Sequence, residues 1–210
     1  MVNNSTSPQP PDIRVCFIGD SFVNGTGDPE YLGWVGRICQ QAAKQGHDLT
    51  SYNLGARRET SLQIEQRWQQ EVACRLPETC EGRLVFSFGV NDTTYEEGQS
   101  RVNPGDSIAC ARRMLTAAQS IYPVLMIGPP PIADKAQNTR IETLSQLFAE
   151  VCQDLAVPYL DIYKTLVQSP IWNMEVASGD GAHPSTVGYT MLADLIQQWK
   201  PWKAWFPSKK

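Results

Sequence analysis

Short apolar runs alternate along the chain with longer segments whose apolar residues recur every three to four positions. The runs predict five strands, at Ile13 to Gly19, Leu49 to Leu54, Arg83 to Phe88, Pro123 to Ile127 and Val157 to Asp161. The longer segments predict a helix after each strand. Regular alternation of this kind is typical of βαβ units, so we expect a three-layer α/β/α fold around a five-stranded parallel sheet.

Residues that favour helix ends place the predicted helices more closely. The first helix covers Tyr31 to Gln45. Thr60 with Gln63, and Thr139 with Glu142, are spaced as capping boxes for the second and fourth helices, and Asn103 before Pro104 is typical of the start of the third. The stretch from Lys164 to Gly181 is expected to be irregular, and a last helix follows Pro184.

We expect the strands in the flavodoxin-like order 2-1-3-4-5. Ligands bind such sheets beyond the carboxyl ends of the strands, where the strand order reverses. Here the reversal lies between strands one and three. Ser21 follows strand one and Asn91 follows strand three, so the two should flank the site.

The length and composition fit one globular domain over residues 13–210, after a polar, proline-rich and disordered lead-in at 1–12. The net charge of −4, without a long basic run, argues against nucleic-acid binding. No basic region followed by an apolar run marks a signal peptide, and no apolar run is long enough for a membrane span. We therefore expect a soluble, cytoplasmic protein without stable membrane insertion.

The six cysteines are scattered and are expected to be reduced thiols, with Cys16, Cys110 and Cys152 inside strands or helices. No structural zinc site is expected. Asp180 and His183 could be two metal ligands, but a third has no nearby candidate, so no metal site is predicted.

Candidate chemistry begins with Ser21, at the end of the first strand. A serine becomes a nucleophile only with a base in reach and donors for the oxyanion. Of the two histidines, His183 lies three residues after Asp180, a spacing that lets the carboxylate reach Nδ1 while Nε2 faces the serine. Taken singly, each of these residues is more often a turn or cap residue than a catalytic one; their combination favours catalysis.

Four separated blocks carry a resemblance that covers nearly the whole chain after residue 12. They are Phe17 to Ser21, Asn53 to Gly55, Gly89 to Asp92 and Asp180 to Pro184. In this order they resemble the SGNH, or GDSL, esterase/lipase family of hydrolases. The resemblance implies a cofactor-independent serine ester hydrolase that acts on a small carboxylic ester through an acyl-serine intermediate.

The resemblance also implies residue roles. Ser21 would be the nucleophile, His183 the base and then the acid, and Asp180 the group that orients the imidazole. The oxyanion would bind the backbone N–H groups of Ser21 and Gly55 and the side-chain amide of Asn91.

Substrate-binding candidates lie beside these blocks: Phe22, Arg57, Arg58 and Pro130. Two arginines between Gly55 and Thr60 depart from the family, which usually has small residues there. Either they are solvated or paired with Glu59 and Glu65, or one of them binds an anionic ester. The aromatic, lysine-containing end of the chain, from Trp199 to Phe206, is expected to pack against the body; a lipid-binding patch is the alternative.

Two other functions stay open at this point. An acyltransferase would use the same serine and differ only in the acyl acceptor. A ligand-binding module of flavodoxin-like shape would not use it at all, although Ser21, Asn91, Asp180 and His183 together argue against that function. The oligomeric state cannot be predicted from these patterns.

Overall fold

The structure, a computed structural model, describes residues 11–207. In that range the strands are β1 (Ile13–Gly19), β2 (Leu49–Gly55), β3 (Glu81–Ser87), β4 (Tyr95–Glu96), β5 (Gln99–Ser100), β6 (Val124–Ile127) and β7 (Tyr159–Leu160). The helices are α1 (Ser21–Asn24), α2 (Gly33–Lys44), α3 (Ser61–Ala73), α4 (Pro104–Gln119), α5 (Lys135–Asp154), α6 (Tyr163–Leu166), α7 (Pro170–Ser178), α8 (Thr186–Gln198) and α9 (Lys200–Trp205).

The expected disordered lead-in lies outside the described residues, except for its last two. Asp12, which the sequence placed in that lead-in, accepts a backbone hydrogen bond from the N–H of Glu81 at 2.9 Å. Its carboxylate also pairs with Arg14 at 2.9 Å. The sheet therefore begins to fix the chain one residue before β1.

The main sheet has the order β2-β1-β3-β6-β7, and each neighbouring pair is parallel. This confirms the predicted order. Strands β4 and β5 form a separate antiparallel hairpin that the sequence did not predict. Gly19 lies opposite both Gly55 and Ser87, so β1, β2 and β3 end level with one another. The residues that follow these three strands therefore meet at one edge of the sheet.

Two hydrophobic cores cover the two faces of this sheet, which confirms the three-layer architecture. Val15 and Phe17 of β1 pack in the core that includes the buried faces of α2 and α8. Cys16 and Ile18 point the other way, into the core that includes α3, α4 and α5. Strands buried on both faces are apolar throughout rather than alternating, as expected for a parallel sheet.

Helix starts were predictable where a capping residue stands before a clear apolar stripe. The Thr60–Gln63 capping box is present, and Asn103 caps α4 by accepting from the N–H of Asp106 at 2.9 Å. The predicted start at Thr139 is wrong. Helix α5 begins earlier, at Lys135, because Asp134 caps it by accepting from the N–H of Gln137 at 2.8 Å.

The expectation of irregular chain from Lys164 to Gly181 is also wrong, since α6 lies partly and α7 wholly within it. Helix α7 buries Trp172 and Val176 but leaves Ile171 and Met174 exposed, so its apolar residues form no single stripe. Ser169 caps it, with Pro170 in the first turn. A capping residue followed by a proline is also the signal that located α4, where the pair is Asn103 and Pro104.

The segment from Trp199 to Phe206 packs against the body, as expected. Trp202 and Phe206 are buried, and their ring centroids are 4.7 Å apart. The ring of Trp202 also lies 6.3 Å from that of Phe17 in β1. No helix within residues 11–207 is both long enough and apolar enough to cross a bilayer. All six cysteines are free, and Cys16, Cys110 and Cys152 are buried.

Candidate active site

Ser21 stands at the sharp transition from β1 to α1. Asp20 caps this short helix by accepting from the N–H of Phe22 at 2.9 Å, and Gly25 ends it with φ at +83°. As the first residue of the helix, Ser21 has a backbone N–H without an acceptor in its own helix. The residue is 5% exposed. Since no acceptor for this N–H occurs within residues 11–207, the turn holds the hydroxyl and an unpaired N–H side by side.

His183 reaches both of its expected partners, although it lies 162 positions from Ser21 in sequence. Its Nε2 is 2.7 Å from Ser21 Oγ, and its Nδ1 is 2.7 Å from Asp180 Oδ2. Because a carboxylate can only accept from Nδ1–H, the neutral ring is left with Nε2 free to accept the serine proton. The structure thus places these three residues in one continuous hydrogen-bonded line.

The loop that carries His183 is fixed at two points. Asp180 Oδ1 accepts from the N–H groups of Ala182 and His183, each at 2.9 Å. After the histidine, the carboxylate of Glu175 accepts from the N–H of Ser185 at 2.9 Å and of Gly188 at 2.7 Å. Glu175 was not found from the sequence, since no motif links it to His183.

Asp180 is held in its ionised form. Burial opposes ionisation, but the hydrogen bonds from the N–H and ring of His183 and from the N–H of Ala182 outweigh it and lower the pKa of Asp180 to about 2. The carboxylate therefore keeps its charge throughout the ordinary working range of pH.

Two of the four substrate-binding candidates are placed elsewhere than expected. Phe22 is only 2% exposed, and its ring packs 4.8 Å from the imidazole of His183. It supports the histidine and offers a substrate little surface. Pro130 is also buried, in a loop whose next carbonyl, that of Pro131, accepts from Trp172 Nε1 at 3.0 Å.

Asn91 is oriented by the turn that follows β2. Its Nδ2 donates to the carbonyl of Glu59 at 3.0 Å, which uses one of its two amide hydrogens. Arg67 holds this turn against the sheet: it binds the Glu59 carboxylate at 2.6 Å and the Leu54 carbonyl at 2.9 Å. The second amide hydrogen of Asn91 remains available to a ligand.

Gly55 does not fit the role that the resemblance implied. Its N–H donates to Asn53 Oδ1 at 3.0 Å, so it is not free for an oxyanion. Packing is the reason for a glycine here. A Cβ would lie 2.7 Å from the carbonyl oxygen of Asp20 and closer still to the backbone nitrogen of Asn24. Gly55 therefore lets the turn that carries Ser21, from Asp20 to Asn24, pack directly on β2.

The two arginines after Gly55 are in a turn in which the N–H of Glu59 approaches the carbonyl of Ala56 at 3.4 Å. Arg58 takes φ of +67°, a conformation that favours glycine. Neither arginine makes the ion pair suggested above, because Glu59 pairs with Arg67 and Glu65 with Arg113. Within residues 11–207, the backbone N–H groups of Arg57 and Arg58 have no hydrogen-bond acceptor.

Asp20, the residue before Ser21, is a buried carboxyl group that the sequence did not single out. It is 1% exposed, and its Oδ2 has no partner among the described residues. Burial, and to a lesser extent the neighbouring carboxylate of Asp92, raise the pKa of Asp20 to about 7. Compared with the unfolded chain, the folded protein therefore favours the protonated form of Asp20.

This burial predicts a pH dependence of stability. The pKa of Asp20 is higher in the folded than in the unfolded chain. Its contribution to the free energy of unfolding is therefore complete below about pH 4 and is lost as the pH rises through 7. At 1.36 kcal/mol per pKa unit, the loss is up to about 4 kcal/mol. Asp20→Asn keeps the acceptor for Phe22 and should remove this loss.

Urea unfolding at pH 5 and pH 8 tests this prediction. The decrease in unfolding free energy between the two pH values should be smaller in Asp20→Asn than in the wild type. The exposed Asp194→Asn is the control and should behave as the wild type. An unchanged decrease in Asp20→Asn would contradict the assignment.

Comparison with known proteins relates this geometry to other chains. Residues 17–191 match the GDSL-like lipase/acylhydrolase family. The lipase/acylhydrolase from Enterococcus faecalis is 25% identical, with a TM-score of 0.76 over 94% of this chain and 98% of that one. The acetylxylan esterase Axe2 from Geobacillus stearothermophilus is 16% identical, with a TM-score of 0.70 over 88% and 92%. No curated protein matches the chain by sequence.

Proposed function

The chain belongs to the GDSL-like lipase/acylhydrolase family and is an ester hydrolase, and we propose that it cleaves a carboxylic ester through an acyl intermediate on Ser21. The observation that carries this proposal is the line from Asp180 through His183 to Ser21, with both hydrogen bonds at 2.7 Å. That spacing is what a nucleophile, its base and the base's orienting group require.

The proposed reaction has two halves. His183 Nε2 takes the proton of Ser21 as Oγ attacks the ester carbonyl, and the tetrahedral intermediate then collapses to the acyl-serine. The same Nε2–H protonates the departing alcohol. In the second half water attacks the acyl group, gives its proton to Nε2, and Ser21 leaves with that proton. Asp180 stabilises the imidazolium in both halves without being protonated.

The oxyanion would be bound by three donors. Two of them are the unpaired N–H of Ser21 and the second amide hydrogen of Asn91. For the third, the Gly55 N–H is replaced in this proposal by a backbone N–H of the turn between Ala56 and Glu59. Within residues 11–207 the N–H groups of both Arg57 and Arg58 lack an acceptor, and we assign Arg58 because it directly precedes Glu59, whose carbonyl binds Asn91.

Asn91→Ala tests this arrangement. Removal of one oxyanion donor lowers kcat by about 10²–10³-fold, because a bond made mainly in the transition state is lost. The Michaelis constant should change little. The steady-state kinetics should be measured on p-nitrophenyl acetate beside the exposed control Asn173→Ala. A loss smaller than about fivefold would remove Asn91 from the oxyanion site.

The function as a whole is tested with p-nitrophenyl esters of increasing acyl length. Wild type should release p-nitrophenol with saturation kinetics from at least one of them, and the preferred length measures the space for the acyl group. Absence of enzyme-dependent release from every ester in the series would overturn the proposal.

A further inference from the structure

A cavity of about 400 Å³ lies between the nucleophile turn and the turn after β2. We call it the Arg57 cavity; its lining residues are Asn24 to Pro29, Tyr31 and Arg57. Asn24 ends the α1 helix that begins with Ser21. A Cβ on Gly27 would lie 3.0 Å from Cβ of His183, so the wall of the cavity touches the proposed base. Asn24 and Gly27 therefore connect the cavity wall to the segments that carry Ser21 and His183, although neither of these two residues lines the cavity.

One wall is a loop with a buried anchor. Asp28 is 4% exposed and pairs with Arg37, and it also accepts from the N–H of Gly33 at 2.8 Å. These bonds outweigh the effect of burial and lower the pKa of Asp28. Arg37 is shared by two carboxylates, because its Nη2 also lies 2.8 Å from Oε2 of the exposed Glu30, which does not line the cavity. The loop presents Tyr31, which is 94% exposed.

The other wall contributes an unbalanced positive charge. Arg58 approaches Glu96 at 3.6 Å, and Arg101 approaches the same carboxylate at 3.7 Å. Arg57, next to them, is exposed and has no acidic partner within residues 11–207. A guanidinium group in a cavity without a counter-ion is suited to bind a carboxylate or phosphate with two parallel hydrogen bonds.

Backbone strain occurs at Tyr31, which lines the cavity, and at Arg58, the neighbour of the lining residue Arg57. Tyr31 takes φ of +56° and Arg58 takes φ of +67°, in each case at a residue with a large side chain. Residues in such conformations cluster at ligand-binding and catalytic sites, where the surrounding contacts hold them. Here the N–H of Tyr31 donates to the carbonyl of Asp28 at 3.0 Å, so the strained residue is held by the loop that Asp28 anchors.

We propose that the Arg57 cavity binds a negatively charged group, a carboxylate or phosphate, on the ester substrate, with Arg57 as its specificity-determining residue. This inference rests on the proposed function, since the cavity wall includes Asn24, three residues after Ser21, and Gly27, which packs against Cβ of His183. The ester bond would lie over Ser21 while the anionic group extends into the cavity. Asn24 and Thr26 would offer further polar contacts, and the ring of Tyr31 would cover the organic part.

Matched pairs of esters test the proposal. For the acyl side, p-nitrophenyl hydrogen adipate is compared with its methyl ester. For the alcohol side, 3-carboxyphenyl acetate is compared with 3-carbamoylphenyl acetate, and 3-acetoxyphenyl phosphate supplies the phosphate arm. Each is measured with wild type, Arg57→Ala, Arg57→Lys and the distant charge control Arg112→Ala, which pairs with Asp154 on the surface.

In at least one series, wild type should prefer the anionic ester. Arg57→Ala should reduce that preference about tenfold through the Michaelis constant, as expected for loss of a charged hydrogen-bonding partner. Arg57→Lys should recover part of it, and 0.5 M salt should weaken it. Hydrolysis of the neutral esters should not change in Arg57→Ala. The preference for the anionic ester should not change in Arg112→Ala.

The proposal would be overturned if, in every series, the anionic preference of Arg57→Ala stayed within twofold of the wild-type value. It would also be overturned if Arg57→Ala raised the Michaelis constant equally for neutral and anionic esters. Neither result would touch the proposed function, which fails only if the wild type hydrolyses none of the neutral esters. The two failures are therefore distinguishable.

Discussion

Replacing Ser21 by alanine is expected to lower kcat for p-nitrophenyl esters by about 10⁶-fold, because the acyl intermediate can no longer form. His183 would then have a base nitrogen but no hydroxyl to activate, although the two are 2.7 Å apart in the wild type. His183→Ala should lose about as much, and the double variant little more, since the two residues act as one unit.

The measurement needs a structural control, because Ser21 is nearly buried. Circular dichroism and thermal unfolding of Ser21→Ala should match the wild type, and the exposed Ser120→Ala should keep full activity. A serine-reactive fluorophosphonate should label the wild type at Ser21, as seen by mass spectrometry, and leave Ser21→Ala unlabelled. Residual activity above about one per cent would place the nucleophile elsewhere.

Asp180→Asn is expected to lower kcat by about 10⁴-fold while the loop stays in place. An asparagine oxygen can still accept the N–H groups of Ala182 and His183. Its amide nitrogen, however, would donate to Nδ1, which moves the ring proton to Nε2. The imidazole then has no free nitrogen for the Ser21 proton.

The pH profile gives a second test of Asp180. Since its pKa is lowered to about 2, the wild-type carboxylate stays ionised above about pH 4, and no fall in activity between pH 4 and 9 comes from its protonation. The control is Asp154→Asn, which makes the same substitution at an exposed position and should keep the activity of the wild type. Activity of Asp180→Asn within tenfold of wild type would contradict the role.

Much of the scaffold followed from local patterns. Strands β1 and β6 were located because their apolar runs are buried on both faces, whereas most of the edge strand β2 is exposed or half-buried. Helix α4 was located because Asn103 and Pro104 satisfy the first turn of a helix. Helix α7 was missed although Ser169 and Pro170 give the same signal, since its apolar residues lie on more than one side.

In the site, too, some residues could be located from local patterns and others could not. Ser21, Asn91 and His183 stand at strand ends or a helix start, where a sheet with level edges must bring them together. The role of Gly55 could not be settled from the sequence, because a glycine next to a site can serve either a free N–H or close packing, and only the contacts with the α1 turn favour one of the two. Phe22 was likewise taken for a substrate contact before its burial was known.

The sequence by itself predicted the five strands of the main sheet, their order and the residues proposed for acyl chemistry. These follow from short-range periodicity and from motifs that each lie within a few residues. Only the tertiary structure decided which N–H groups are free, which arginine lacks a partner, and that Asp20 and Asp28 are buried. Each of these depends on atoms from segments far apart in sequence, whose approach is set by packing rather than by any local pattern.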